Sequence, residues 1–65
     1  MADYSVALSD GASLTYASTE IRAGNDAEAK ELAANWANSL DERFEGAWLV
    51  LNDSGRGITL GPGRF

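Results

Sequence analysis

The chain of 65 residues contains no cysteine and no histidine. Without cysteine it has no disulfide, no thiolate metal ligand and no thiol nucleophile. Without histidine it lacks the side chain that most often serves as a general base or binds a transition metal. No apolar run approaches the roughly 20 residues that a membrane-spanning helix needs, and the residues after Met1 lack the basic and apolar regions of a signal peptide. We therefore expect a cytoplasmic protein that is not an enzyme and does not bind a membrane.

Large apolar side chains are also few, because eleven of the apolar residues are alanine. A chain of this size buries only about 60% of its unfolded surface, so we expect one marginally stable domain over residues 1–65. Ten acidic and five basic residues give a net charge of −5. This negative charge opposes direct binding to nucleic acid or to an anionic membrane.

Alternation of apolar and polar residues predicts two N-terminal strands, over residues 3–9 and 12–18. A three-residue loop between them, with its glycine in the left-handed conformation, gathers the large apolar groups on one face, whereas a two-residue loop would invert the second strand. The pairs that this loop predicts are Val6 with Leu14 and Tyr4 with Tyr16. The alternation loses phase near residues 18–20, which indicates a bulge or a strand end there.

A helix is predicted over residues 26–44, which contain no glycine or proline. Asn25 is the expected N-cap, and Glu28 lies three residues later, where its side chain can reach back to the Asn25 N–H and complete a capping box. Gly46 is the expected C-terminal stop. At 100° per residue one apolar arc contains Ala29, Leu32, Ala33, Trp36, Ala37, Leu40 and Phe44.

Two further strands are predicted over residues 47–52 and 56–61, followed by a loose tail over 62–65. A loop at 53–55 gives one register, and a loop one residue longer gives another. The pairs are Val50 with Ile58 and Trp48 with Leu60 in the first register, and Leu51 with Ile58 and Leu49 with Leu60 in the second. The hydrophobic pattern does not choose between them.

The order β-β-α-β-β predicts an α+β fold, in which a single small domain has an antiparallel sheet of about four strands and one helix packed across one face. We expect the helix to cover the N-terminal strands and the face of the third strand that carries Trp48 and Val50. Leu49 and Leu51 would then lie on the other face. The pattern leaves the order of the strands in the sheet open.

No constellation of residues predicts catalysis, a cofactor or a metal site. Lys30 is isolated and is expected to be a solvated partner of Asp26, four residues earlier. Asp41 and Glu42 are expected to be solvated, whereas catalytic carboxylate pairs need environments that split their pKa values. The turn at 52–55 lacks the downstream acid of a calcium-binding loop.

Negative charge is concentrated in the helical segment: the net charge is −2 for residues 1–24, −4 for 25–45 and +1 for 46–65. On a helical wheel, five carboxylates share the face opposite the apolar arc, and at 1.5 Å per residue they span roughly 25 Å. This length is comparable to about seven steps of one DNA strand. The face is either an ordinary solubilising surface or an acidic ligand for a basic groove. The five carboxylates are Glu28, Glu31, Asp41, Glu42 and Glu45.

The layout, in which the segment YSVALSDG at 4–11 leads into a capped alanine-rich helix, resembles small acidic phage-encoded anti-CRISPR proteins that inhibit type I interference complexes. The resemblance implies a phage protein in the cytoplasm of a bacterial host cell. It also implies a DNA mimic that occupies the DNA-binding path of the effector complex. No motif is shared, so no residue role follows from it.

Two hypotheses follow. The first is a monomeric, non-enzymatic acidic protein that inhibits a nucleic-acid-binding complex, with the five carboxylates contacting its lysines and arginines. The second is a homodimeric or accessory scaffold domain without a DNA-competitive role. Its symmetric apolar interface would contain Leu49, Leu51 or the hairpin 48–60.

Overall fold

The computed structural model describes residues 1–65. Four strands form one antiparallel sheet in the order β2-β1-β3-β4, and the helix packs across one face. The predicted fold class and element order are therefore confirmed. The single helix is neither long enough nor apolar enough to cross a membrane. The elements are β1 (Ala2–Ser9), β2 (Thr15–Ala23), α1 (Asp26–Asn38), β3 (Ala47–Asp53) and β4 (Arg56–Gly63).

A stripe of three alanines attaches α1 to the sheet. Ala29, Ala33 and Ala37 are completely buried, and their spacing of four residues places them on one side of the helix. Small side chains let the helix backbone lie close to the strands. Leu32, by contrast, is 37% exposed. The buried side of α1 is therefore rotated from the predicted arc towards the alanines.

The sheet side of the core comes from the two central strands. Its largest buried residues are Tyr4, Val6 and Leu8 from β1 and Leu49 and Leu51 from β3.

The prediction for the two faces of β3 was wrong. Leu49 and Leu51 are 0% exposed under α1, whereas Trp48 and Val50 lie on the opposite face and are half-buried. Pairing of Leu49 with Leu8 sets this orientation, because directly paired residues share a face. Burial of both leucines also excludes them from the symmetric interface of the scaffold hypothesis.

The C-terminal hairpin adopts the second of the two registers left open by the sequence, with Leu51 opposite Ile58. Its turn is shorter, not longer, than the three-residue alternative. The two turn residues, Ser54 and Gly55, both have positive φ, at 52° and 87°. This conformation matches the right-handed twist of the flanking strands and explains why a two-residue turn is favoured.

The N-terminal hairpin departs from the predicted register. β2 begins at Thr15 and not at residue 12, and Val6 lies opposite Thr19 rather than Leu14. Leu14 is therefore in the connecting loop and is 53% exposed. This register directs Ile21 towards the core.

The connecting loop is closed by Asp10. Its carboxylate accepts hydrogen bonds from the backbone N–H groups of Ala12 and Leu14, at 2.8 and 3.2 Å, and its own N–H donates to the Leu14 carbonyl at 3.0 Å. Gly11 has φ of 83°, as expected for a left-handed turn residue. These local bonds stabilise a loop longer than the predicted one.

The helix ends six residues before the predicted position, at Asn38, with Ser39 as C-cap. The Arg43 guanidinium turns back and donates to the carbonyls of Asn38 and Leu40, each at 2.7 Å. A cation at this end satisfies exposed carbonyls and opposes the helix dipole. Gly46, with φ of 69°, precedes β3 instead of ending the helix.

The C-terminal residues 62–65 are not a loose tail. β4 continues to Gly63, and the backbones of Phe65 and Phe44 exchange two hydrogen bonds, at 2.6 and 2.9 Å. Phe65 also packs against the core. The C-terminus thus holds the segment that connects α1 to β3.

Candidate functional site

The five carboxylates predicted to form one helical ridge are divided between two elements. Glu28 and Glu31 lie on the exposed side of α1. Asp41, Glu42 and Glu45 lie in the loop 39–46, because the helix ends before them. All five are exposed. The prediction of one continuous helical face was therefore wrong, although each of these residues faces solvent.

Two of these carboxylates have partners within the chain. Glu28 accepts a hydrogen bond from the Gly24 N–H at 2.7 Å, while the Asn25 side chain accepts one from the Glu28 N–H at 2.8 Å. Asn25 thus caps the helix as predicted, whereas Glu28 bonds the N–H of Gly24 and not the N–H of Asn25 that the capping box predicts. Glu45 pairs with Arg64 at 2.6 Å, but both side chains are more than two-thirds exposed, so the pair contributes little.

The Asp26 carboxylate is hydrogen-bonded by side chains from two strands and is not a free surface charge. Both of its oxygens accept hydrogen bonds from the Arg56 guanidinium, at 2.8 and 3.1 Å, and the Tyr4 hydroxyl donates to it at 2.8 Å. The hydrogen bond from Tyr4, followed by those from Arg56, lowers the pKa of Asp26. Lys30 is solvated as predicted, and its charge also lowers the pKa of Asp26, but it forms no ion pair with that carboxylate, which is bound by Arg56 on β4.

Most of the remaining basic groups are also engaged within the chain. Arg22 pairs with Asp3 at 3.0 Å, and the Arg43 guanidinium contacts only backbone carbonyls. Glu31, Asp41 and Glu42, by contrast, accept no hydrogen bond and form no ion pair through their side chains.

A β-bulge in β2 brings an aromatic residue to the loop 39–46, which contains Asp41, Glu42 and Glu45. Leu8 lies opposite Ala17 and Ser9 lies opposite Thr15, so Tyr16 is the extra residue between them. The sequence indicated a bulge, but closer to residues 18–20. Bulges redirect side chains, and the Tyr16 ring stacks on Phe44 with ring centroids 4.3 Å apart and planes 13° apart.

The stacked rings form part of a small cleft of about 190 Å³, which we call the aromatic cleft. Asp41 and Glu42, two of the carboxylates without internal partners, belong to its lining. The sequence predicted these acids but missed the cleft, whose only signal was the loss of alternation after Tyr16. The lining residues are Tyr16, Ala17, Leu40, Asp41, Glu42 and Phe44.

The sheet face opposite α1 carries a second, larger depression of about 570 Å³. Its only ionisable residue is Glu20, so it holds no pair of groups suited to acid–base chemistry. Its lining residues are Ser5, Val6, Ala7, Ser18, Thr19, Glu20, Val50 and Asn52.

The arrangement at the aromatic cleft suits the binding of positive charge. Carboxylates without internal partners accept strong hydrogen bonds from cations, and aromatic rings attract cations through their electron-rich faces. No group of three or more acidic, histidine or cysteine side chains is placed to hold a metal ion. The chain matches no family model, no curated protein and no solved structure.

Proposed function

We propose that this protein is a non-enzymatic acidic binding protein that occupies the basic, nucleic-acid-binding surface of a protein partner. One observation carries the proposal: four carboxylates have neither a hydrogen bond nor an ion pair within the chain, whereas Lys30 is the only basic side chain without a partner. The surplus charge is thus available for an external cation. The four residues are Glu20, Glu31, Asp41 and Glu42.

The physical mechanism is competition for the same cations. A basic groove that binds DNA presents lysines and arginines to phosphates, and exposed carboxylates take the place of those phosphates. Long-range attraction between the two surfaces speeds association and weakens as salt screens it. With a net charge of −5, the protein itself is repelled by DNA, so both ligands exclude each other from the groove.

The resemblance to anti-CRISPR proteins suggests a specific instance of this function. In that case the partner is a type I CRISPR effector complex in the cytoplasm of a bacterial host, and the protein acts as a monomeric DNA mimic. The general proposal of competition at a basic surface holds for other nucleic-acid-binding proteins as well.

A binding role, as opposed to catalysis, is favoured by where the pKa shifts occur. The shifted groups, Tyr4, Arg22, Asp26 and Arg56, all owe their shifts mainly to hydrogen bonds with one another or with Asp3. Such pairs connect strands to each other and α1 to the sheet. None of the four lines the aromatic cleft or the depression on the sheet face opposite α1.

The second candidate function is a symmetric scaffold, and the uncovered sheet face favours it. Trp48 and Val50 lie half-buried on that face, so a second copy of the chain could cover them. Light scattering separates the two functions. A dimer that persists at high salt supports the scaffold, and a monomer at both low and high salt supports the acidic ligand.

The main test compares two neutralised variants of equal net charge. The first, E31Q/D41N/E42Q, removes three carboxylates that have no internal partner, and the control, D3N/D10N/D53N, removes three that do have one. Tagged proteins capture partners from bacterial lysate with and without competing duplex DNA, and mass spectrometry identifies them. Each exposed charge pair contributes roughly 0.5 kcal/mol to binding, so the loss of three should weaken binding of the partner about tenfold.

The expected partner is a nucleic-acid-binding protein or complex that duplex DNA releases and that the control variant still captures. The proposal would be contradicted if duplex DNA does not release the captured partner and the E31Q/D41N/E42Q variant captures it as well as the unchanged protein does. Far-UV circular dichroism verifies that both variants remain folded.

A further inference from the structure

We propose that the aromatic cleft receives one arginine side chain of the basic partner, an inference that rests on the proposed function. The cleft volume of about 190 Å³ is below the roughly 300–1,000 Å³ typical of small-molecule sites. It is therefore suited to a single long side chain and not to a nucleotide or a metabolite.

The apolar part of the lining matches the stem of such a side chain. Leu40 and Ala17 provide aliphatic surface beside the stacked rings of Tyr16 and Phe44. Arginine places its methylene groups on apolar surface while its charged end stays near water. The guanidinium is planar and stacks on aromatic rings, which a lysine ammonium does not do.

The charged part of the lining complements the end of the side chain. Asp41 and Glu42 have no hydrogen-bond or ion-pair partner within the chain, and the neighbouring Arg43 forms no ion pair with either because its guanidinium donates to backbone carbonyls. Those bonds reach the carbonyls of Asn38 and Leu40 at 2.7 Å and that of Glu42 at 3.2 Å. Two carboxylates are thus left for a cation from outside.

The cleft is also held in place before any partner binds. Phe44 is fixed by its two backbone hydrogen bonds with Phe65, and Tyr16 is positioned by the bulge between Thr15 and Ala17. A preformed site loses less conformational entropy on binding than one that must be ordered. Rigidity at an exposed cleft therefore favours recognition of an inserted side chain.

The experiment is an NMR titration of the ¹⁵N-labelled protein with three short probes. These are acetyl-tetra-arginine amide, the lysine equivalent, and the citrulline equivalent, which is a neutral isostere of the first. We expect the arginine probe to shift the amide signals of Tyr16, Ala17, Leu40 and Phe44. The citrulline probe should leave them unchanged, and the lysine probe should bind more weakly.

Two isosteric variants provide the matched comparison. D41N/E42Q neutralises the cleft, whereas E20Q/E31Q removes the same charge from carboxylates outside it. We expect the first to weaken arginine binding about fivefold, as for two exposed charge pairs, and the second to change it less than about twofold.

Equal weakening by both variants, shifts spread over the whole surface, or equal binding of lysine and arginine would overturn the assignment. The outcome is separable from that of the proposed function. Arginine binding in the cleft without DNA-sensitive capture would refute only the proposed function. If DNA releases the captured partner but the arginine probe does not bind in the cleft, only this inference is refuted.

Discussion

Substitution of Gly11 by alanine should destabilise the protein through its backbone conformation and through one close contact. Gly11 has φ of 83°, and an added Cβ would lie 2.4 Å from Nε1 and 2.5 Å from Cδ1 of Trp48. A non-glycine residue in the left-handed region costs about 1–2 kcal/mol. Displacing the half-buried indole re-exposes on the order of 40–80 Å² of apolar surface, or about 1–2 kcal/mol. We expect a total loss of about 2–4 kcal/mol in the free energy of unfolding.

Equilibrium urea unfolding, followed by far-UV circular dichroism, measures this loss. A small domain rarely exceeds about 3–5 kcal/mol of stability, so the transition should move close to zero urea. The decisive control is the same substitution in a Trp48→Val background, where no indole opposes the new Cβ. There G11A should cost only the backbone contribution, which gives a coupling of about 1–2 kcal/mol between the two sites. Equal costs in both backgrounds would refute the contact with Trp48.

Three further predictions concern the ends of the helix and the C-terminus. Arg43→Gln should lower the free energy of unfolding by about 1 kcal/mol in urea, because the helix carbonyls lose a charged donor, whereas Lys30→Gln should change it little. Asp26 has a pKa lowered from 3.8 in the folded state, so its contribution is present above that pH and lost as the pH falls through the folded pKa. Asp26→Asn should flatten the acid limb of the stability–pH curve, and an unchanged limb would contradict this role. Deletion of Phe65 should lower the free energy of unfolding, measured in urea, by about 1–3 kcal/mol, because two backbone hydrogen bonds are lost. It should also shift the amide signal of Phe44.

Local signals predicted the start of the helix but not its end. Asn25 caps the helix by accepting from the N–H of Glu28, three residues later, and this spacing is visible in the sequence. The end depends on Phe44, whose backbone pairs with Phe65 across the chain. Helix propensity beyond Asn38 is only a weak preference, and tertiary pairing overrides it.

The register of β2 shows a similar limit. Leu14 and Tyr16 carry the strongest alternation in their segment, yet β2 pairs further along the chain and leaves Leu14 exposed. The two alternatives differ in which residues lie beneath α1. The observed register places Ala23 and Ile21 there, and the completely buried Ala23 leaves room for the helix.

The candidate site was predictable in its charge and not in its shape. The exposure of Asp41 and Glu42 followed from their polarity, whichever element carried them. The aromatic cleft did not, because Tyr16 and Phe44 come from distant segments and meet only through a bulge and a C-terminal bridge. Neither feature has a sequence signal strong enough to locate it.

Composition and short-range pattern by themselves determined the absence of thiol and imidazole chemistry, the excess of negative charge, the β-β-α-β-β order and the start of the helix. Each of these depends on residue identity or on neighbours within a few positions. The tertiary structure alone decided which face of β3 is buried, where the helix ends, and which carboxylates keep no internal partner. These depend on contacts between distant segments, such as Arg56 with Asp26 and Phe65 with Phe44, and the free energies of such contacts are comparable to the local preferences they override.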